Sequence, residues 1–202
     1  MEGELNMAKE GKTGVSVSTP QNILFGAGTI HKNLKYSGST WNFSESIMGA
    51  TSGGSKLSII PEVQKVEVDG ALVATKGLTV KTGETATLEI NFIELSTDII
   101  KAATFGKNGT SEDGNFSLIE SKAQIELGDY FENIAFVGQT LDGRKVIAIL
   151  DNALCTSGFE QEGKNKEGAI GKYTFECHAE VNSDLDTLPW HIYYPLPEAE
   201  LG

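Results

Sequence analysis

The stretch Tyr173-Thr174-Phe175-Glu176-Cys177-His178-Ala179-Glu180-Val181 decides the fold class. Its odd positions are apolar or small and its even positions polar or charged. A period of two is the signature of a strand with one buried and one solvated face, because successive side chains point to opposite sides. The same alternation recurs at Ala86, Leu88, Ile90 and Phe92, and again at Ser121, Ala123, Ile125 and Leu127. Val66 and Val68 repeat it just before the turn pair Asp69-Gly70, and Leu78 and Val80 precede a second turn at Thr82-Gly83. Asn133 to Gln139 and Lys145 to Leu150 flank Leu141-Asp142-Gly143-Arg144, which predicts a hairpin whose Asp-Gly pair supplies the positive φ of a tight turn. The second arm of that hairpin is apolar on both faces, as in a strand covered from both sides.

One segment reads as helix. Ser96 is placed to cap it, Asp98 lies in the first turn, and Ile99, Ile100, Ala103 and Phe105 form a stripe that Gly106 ends. One short helix among about eight strands predicts a mainly β chain, a two-sheet sandwich or partly closed barrel with one flanking helix.

Outside these elements, residues 1–20 carry no periodicity and read as a flexible arm, and residues 21–202 as a single domain. Within it, 37–58 is rich in Ser, Gly and Thr and reads as a long loop, and 186–202 as a C-terminal tail. Trp41, Phe43, Ile47 and Met48 are large apolar residues in that polar loop. Two readings stand: a loop folded onto its own core, or a contact surface for another subunit.

The 202 residues carry 28 Asp and Glu against 16 Lys and Arg, a net charge of −12. That excludes a basic, phosphate-gripping nucleic-acid binder, which needs clustered cations to displace counterions. Two cysteines, Cys155 and Cys177, are too few for a disulfide scaffold and fit a reducing compartment. The longest apolar run, Val146 to Leu150, is far short of the ~20 residues of a membrane span, and the polar Met1–Lys12 stretch does not read as a signal peptide, so no membrane partner is expected. Three glycosylation-type triplets, at Asn42, Asn108 and Asn115, read as chance matches.

Motifs of chemistry fail one by one. Glu10-Gly11-Lys12-Thr13 imitates the end of a phosphate loop, but Asn6 stands where the first glycine belongs. Gly26-Ala27-Gly28 begins a dinucleotide fingerprint that His31 ends. His31, His178 and His191 show no metal-ligand spacing with each other or with cysteine, and neighbours Cys177 and His178 point to opposite strand faces. No local pattern supplies a nucleophile with its base. The expectation is a non-enzymatic protein without catalytic residues, metal or cofactor.

Two stretches carry a family resemblance. The first runs from Val66-Glu67-Val68-Asp69-Gly70 through Lys76-Gly77-Leu78-Thr79-Val80 to Gly83-Glu84-Thr85-Ala86-Thr87-Leu88-Glu89-Ile90-Asn91-Phe92-Ile93-Glu94-Leu95-Ser96. The second joins Tyr173–Glu180 to Leu188-Pro189-Trp190-His191-Ile192-Tyr193-Tyr194-Pro195. Together they resemble the major tail tube proteins of long-tailed bacteriophages, particularly those of Gram-positive hosts, over about Ile23 to Pro197. The resemblance implies a two-sheet β-sandwich with one flanking helix, hexameric rings of identical copies, and rings stacked into a hollow tube through which double-stranded DNA passes without specific binding. It also implies the tape measure, tail terminator and distal tail proteins as partners, and a virion tail assembled in the host bacterial cytoplasm. Inner tubes of contractile tails, headless bacteriocins and type VI secretion share that fold, so an inner-tube subunit of such a particle is the first alternative; a ligand-binding β-sandwich module is the second.

On this reading an acidic wall repels DNA and keeps transit non-adhesive, although acidity also keeps a concentrated protein soluble. The outward acids of the alternating strands, Glu89, Glu120, Glu126, Glu176 and Glu180, are the lumen candidates. Trp41, Phe43, Ile47, Met48, Trp190 and Tyr193 are the inter-subunit candidates, because large apolar and aromatic side chains anchor such contacts.

Overall fold

The computed structural model describes residues 14–16, 18–163 and 165–196. The phosphate-loop mimic at Glu10–Thr13, most of the N-terminal arm and the last residues of the tail lie outside the described residues. Strand makes up 44% of the described chain and helix 11%, so the mainly β expectation holds.

A short helix α1 (Thr19–Asn22) leads into β1 (Leu24–Lys32). A small hairpin of β2 (Tyr36–Ser37) and β3 (Thr40–Trp41), then α2 (Phe43–Ser46), precede β4 (Ile47–Gly49). Two long strands follow, β5 (Thr51–Lys65) and β6 (Thr79–Phe92), then α3 (Thr97–Thr104). β7 (Lys107–Asn108) pairs with β8 (Ile119–Glu120). β9 (Phe131–Thr140), β10 (Lys145–Cys155), β11 (Gly171–Glu176) and β12 (Trp190–Tyr193) complete the chain.

The large sheet is antiparallel throughout, in the order β4-β1-β9-β10-β11-β6-β5, with β12 also on β10. β10 is the shared strand. Its first part pairs with β9 and β12, and its end, Leu154 and Cys155, pairs with β11. Both halves of the sheet contribute to one core: Ile30, Ile134 and Leu150 from the first, Leu88, Ile90, Phe92, Tyr173 and Phe175 from the second. Ile99, Ala102 and Ala103 of α3 enter the same core.

The expected β9–β10 hairpin forms, with Lys145 opposite Gln139 and Gly143 at φ 91°. Its second arm is covered on both sides as its composition requires. Leu150, Ala153 and Cys155 belong to the main core, whereas Ile147 and Ile149 join Leu34, Ala135 and Val137 in a second cluster under Trp41 and Phe43. α3 also matches, the Ser96 hydroxyl accepting from the Ile99 amide at 3.3 Å. It ends one residue earlier than expected, on Phe105 at φ 50°. Gly106 serves a different purpose: a Cβ there would lie 2.6 Å from the Ile119 side chain, so the glycine lets β8 approach.

Three readings are corrected. Residues 37–58 are not a long loop but the small hairpin, α2, β4 and the first half of β5. The Ser/Gly composition hides β5 because Gly53 and Gly54, at φ 85° and 83°, break its register with β6 between Thr51 and Ser55. Residues 121–127 form no strand. Lys122 instead binds Glu126 and Asp129 at 3.0 and 2.7 Å, and the Glu126 amide donates to Asp129, closing a local turn. β11 stops at Glu176, with one further bond from the Cys177 amide to Ala86, after which 178–189 crosses to the other half of the sheet.

Candidate assembly surfaces

β5 and β6 form a hairpin in continuous pairing from Leu57–Leu88 out to Lys65–Thr79, apart from a bulge at Glu62–Val63. Beyond Ile59 it leaves the core: residues 60–65 and 79–82 are exposed on both faces. Its tip, residues 66–78, holds the most exposed aliphatics of the arm, Leu72 at 98% and Val73 at 78%. One edge of β5 pairs with β6; the other has no strand partner among the described residues. Pro61 lies on this edge strand, where a missing N–H is tolerated, and with the bulge it interrupts a flat edge that would otherwise template indiscriminate pairing.

Another exposed edge is β12, which pairs with only Ile147–Leu150 of β10. Side chains pin it. Trp190 Nε1 donates to Glu84 Oε2 at 3.1 Å, and Lys81 lies 3.1 Å from the same carboxylate. The indole bond first, then Lys81, holds Glu84 below the usual carboxylate range. His191 Nε2 meets Asp151 Oδ2 at 3.1 Å, while burial pushes the Asp151 carboxyl up against that attraction. Arg144, the single arginine of the chain, sits in the β9–β10 turn and binds backbone from two distant segments: Nη1 donates to Leu196 O at 2.6 Å and Nη2 to Gln21 O at 3.3 Å. Tyr194 Oη donates to Asn22 Oδ1 at 3.1 Å beside it. Nothing local in the sequence marks Arg144 or Glu84 for these roles, because Leu196, Gln21 and Trp190 lie far from them along the chain.

The aromatic candidates fall mainly on the molecule's own core. Trp41 packs against Tyr36, Phe43 and Tyr193, with ring centroids 5.3, 6.4 and 5.0 Å apart. Phe43 lies under Lys145 Nζ, 3.6 Å from its centroid. Met48 is 6% exposed in the main core and offers no surface, a correction to its place among the contacts. Trp190 is half-buried, whereas Ile47 and Tyr193 keep about half their area open.

Of the five acids, the fold brings two together. Glu89 on β6 and Glu176 on β11 lie on the face opposite Leu88 and Phe175, where Glu89 faces Thr174 and Glu176 faces Thr87. Glu89 is 3.0 Å from Lys56 across the strand pair. Glu120 and Glu126 belong instead to the β8 segment beside α3, and Glu180 to the exposed crossover. Among the described residues no group of three His, Cys, Asp or Glu gathers to hold a metal, and no helix is long and apolar enough to cross a membrane.

Compared with known families and with curated proteins, the chain matches no family model and no curated sequence.

Proposed function

We propose that this chain is the major subunit of a bacteriophage tail tube, a structural protein whose copies join into rings and stack into a hollow conduit for double-stranded DNA. The observation that carries the reading is the set of open edges, above all β5 along the protruding arm and β12 at the far side of β10. Unpaired backbone donors and acceptors along a strand are satisfied most directly by a strand of another copy. An arm bearing Leu72 and Val73 in water fits the same reading, since such side chains gain about 1.5–3 kcal/mol each when a partner buries them.

The two halves of the large sheet share one core with α3 packed into it, which supports the sandwich with one flanking helix that the family resemblance implies. The net charge of −12 suits a wall that must not hold the passing genome, and Glu89 with Glu176 forms the strand-borne acidic pair best placed to face it. The tape measure and tail-end proteins are the proposed heterologous partners.

Negative-stain electron microscopy of the concentrated protein tests the proposal. Rings or hollow rods are the expected result. A monodisperse monomer that never forms them at high concentration overturns it and leaves a discrete binding module as the better account.

A further inference from the structure

A groove of about 670 Å³ opens on the face of β1 that carries Thr29 and His31, walled by Phe43, Ile47, Val137 and Lys145. Thr29 is exposed at its rim, whereas His31 is only 1% exposed beneath. The two sit two residues apart on a strand, hence on one face. Thr29 Oγ1 and His31 Nε2 are 2.8 Å apart, and His31 Nδ1 is 2.9 Å from Ser46 Oγ on α2.

The direction of these bonds follows from the end of the chain. Ser46 Oγ lies 2.8 Å from Asn42 O, a carbonyl that only accepts, so the hydroxyl hydrogen points there. Ser46 therefore accepts from Nδ1–H, which leaves the Nε2 lone pair aimed at the threonine hydroxyl. Thr29 donates to His31 at 2.8 Å, the nearer of its two acceptors, the other being Val137 O at 3.5 Å. Nucleophile, base and orienting group stand in the relation that acyl-transfer sites use, with both spacings in the catalytic range.

We propose that Thr29 is an activated hydroxyl and the groove an acyl-acceptor site for small apolar activated esters. Thr29 Oγ attacks the ester carbonyl and its proton passes to Nε2. The carbon–oxygen bond to the alcohol breaks, and the alcohol leaves with that proton, so Thr29 becomes the ester and nothing is oxidised or reduced. Ser46 acts through His31 as a positioning residue. Burial first, then the Lys145 ammonium, pull His31 below the usual histidine range and keep the imidazole in its basic form at neutral pH. The Lys145 ammonium lies on the groove wall as a counter-charge for the oxyanion, and residues 26–28, which have no partner in the register between β1 and β9, leave backbone beside it. Ile47, Phe43 and Val137 suit a short acyl chain. This inference does not depend on the tube reading.

The test uses the full chain and p-nitrophenyl butyrate at pH 7, following p-nitrophenol release and locating the butyryl group by peptide mass spectrometry. The expected result is a burst with the butyryl group on Thr29. Thr29→Ser keeps the burst, Thr29→Val abolishes it, and His31→Gln slows it by about 10²-fold or more. The imidazole ¹⁵N spectrum reads the positioning role: the Nδ1-protonated tautomer dominates in the parent and gives way to a mixture in Ser46→Ala. Butyryl groups found on lysines with Thr29 unmodified, or a burst unchanged in Thr29→Val, overturn the proposal. Thr29 is exposed, so its variants read out the chemistry even where His31→Gln fails to fold.

Discussion

Trp190 and Glu84 stand on different halves of the sheet and meet in one hydrogen bond, indole Nε1 to carboxylate Oε2, at 3.1 Å. β12 holds to β10 through only four residues, so this bond and the Arg144 contacts to Leu196 and Gln21 decide whether the C-terminal strand stays docked. Glu84 is ionised with a depressed pKa in the folded chain, so its contribution to stability is complete above the unfolded carboxylate pKa and is lost as pH falls through the folded value. Trp190→Phe should therefore lower the melting temperature at pH 7, by an amount that shrinks as pH falls below the ordinary carboxylate range and Glu84 takes up its proton. Thermal denaturation of both proteins across an acid series checks this; a loss that stays the same at every pH would place the effect in packing alone.

The core reaches across both sheet halves at Phe175, which is 0% exposed and packs against Phe131 with centroids 5.9 Å apart. Phe175→Ala should cost about 3–5 kcal/mol through lost transfer energy and the cavity left behind. Urea denaturation measures it, and a cost below about 1 kcal/mol would mean the halves do not share a core.

At the arm tip, Leu72 and Val73 touch little of their own chain. Replacing both with Asp should leave the unfolding free energy within about 0.5 kcal/mol of the parent, as for other surface changes, yet reduce the yield of rods. Electron microscopy beside denaturation separates the two effects. Unchanged rod yield would remove the tip from the assembly surface.

Glu89 already faces Lys56 at 3.0 Å, so Glu89→Lys trades an attraction for a repulsion on an exposed sheet face. Such exposed pairs contribute about 0–1 kcal/mol, and the fold should survive. With Glu176→Lys added, tubes should form while DNA release slows. Ejection kinetics in particles carrying the double variant read this directly, and an unaltered rate would take both acids off the tube wall.

How much was legible in advance depends on where each signal lies. The β9–β10 hairpin and α3 carry their instructions locally, in an Asp-Gly turn, an apolar strand, and the Ser96 cap that accepts from Ile99. Residues 121–127 carry an equally clean alternation yet make no strand, because Lys122 binds Glu126 and Asp129 and the Glu126 amide donates to Asp129, which closes a local turn. β5 shows the reverse case: its Ser and Gly residues look like loop, and β6 supplies the pairing that makes them strand.

The candidate surfaces divide the same way. Trp41 and Phe43 stand out in the sequence as large aromatics in a polar stretch, but that they cover Ile147 and Ile149 of their own sheet depends on the chain folding back. Thr29 and His31 carry no strand signal of their own after Gly26-Ala27-Gly28, and pairing with β9 makes them neighbours on one strand face; Ser46, seventeen positions further on from Thr29, completes their bond series only through the turn at Asn42.

The sequence by itself determined the β class, the acidic surface and the position of the one longer helix, since strand period, charge and helix caps are properties of adjacent residues. The tertiary structure alone decided which edges remain open, which aromatics are covered and which acids share a face. Those depend on the pairing of strands distant in the chain, and a one-residue change of register would turn every such side chain to the other side.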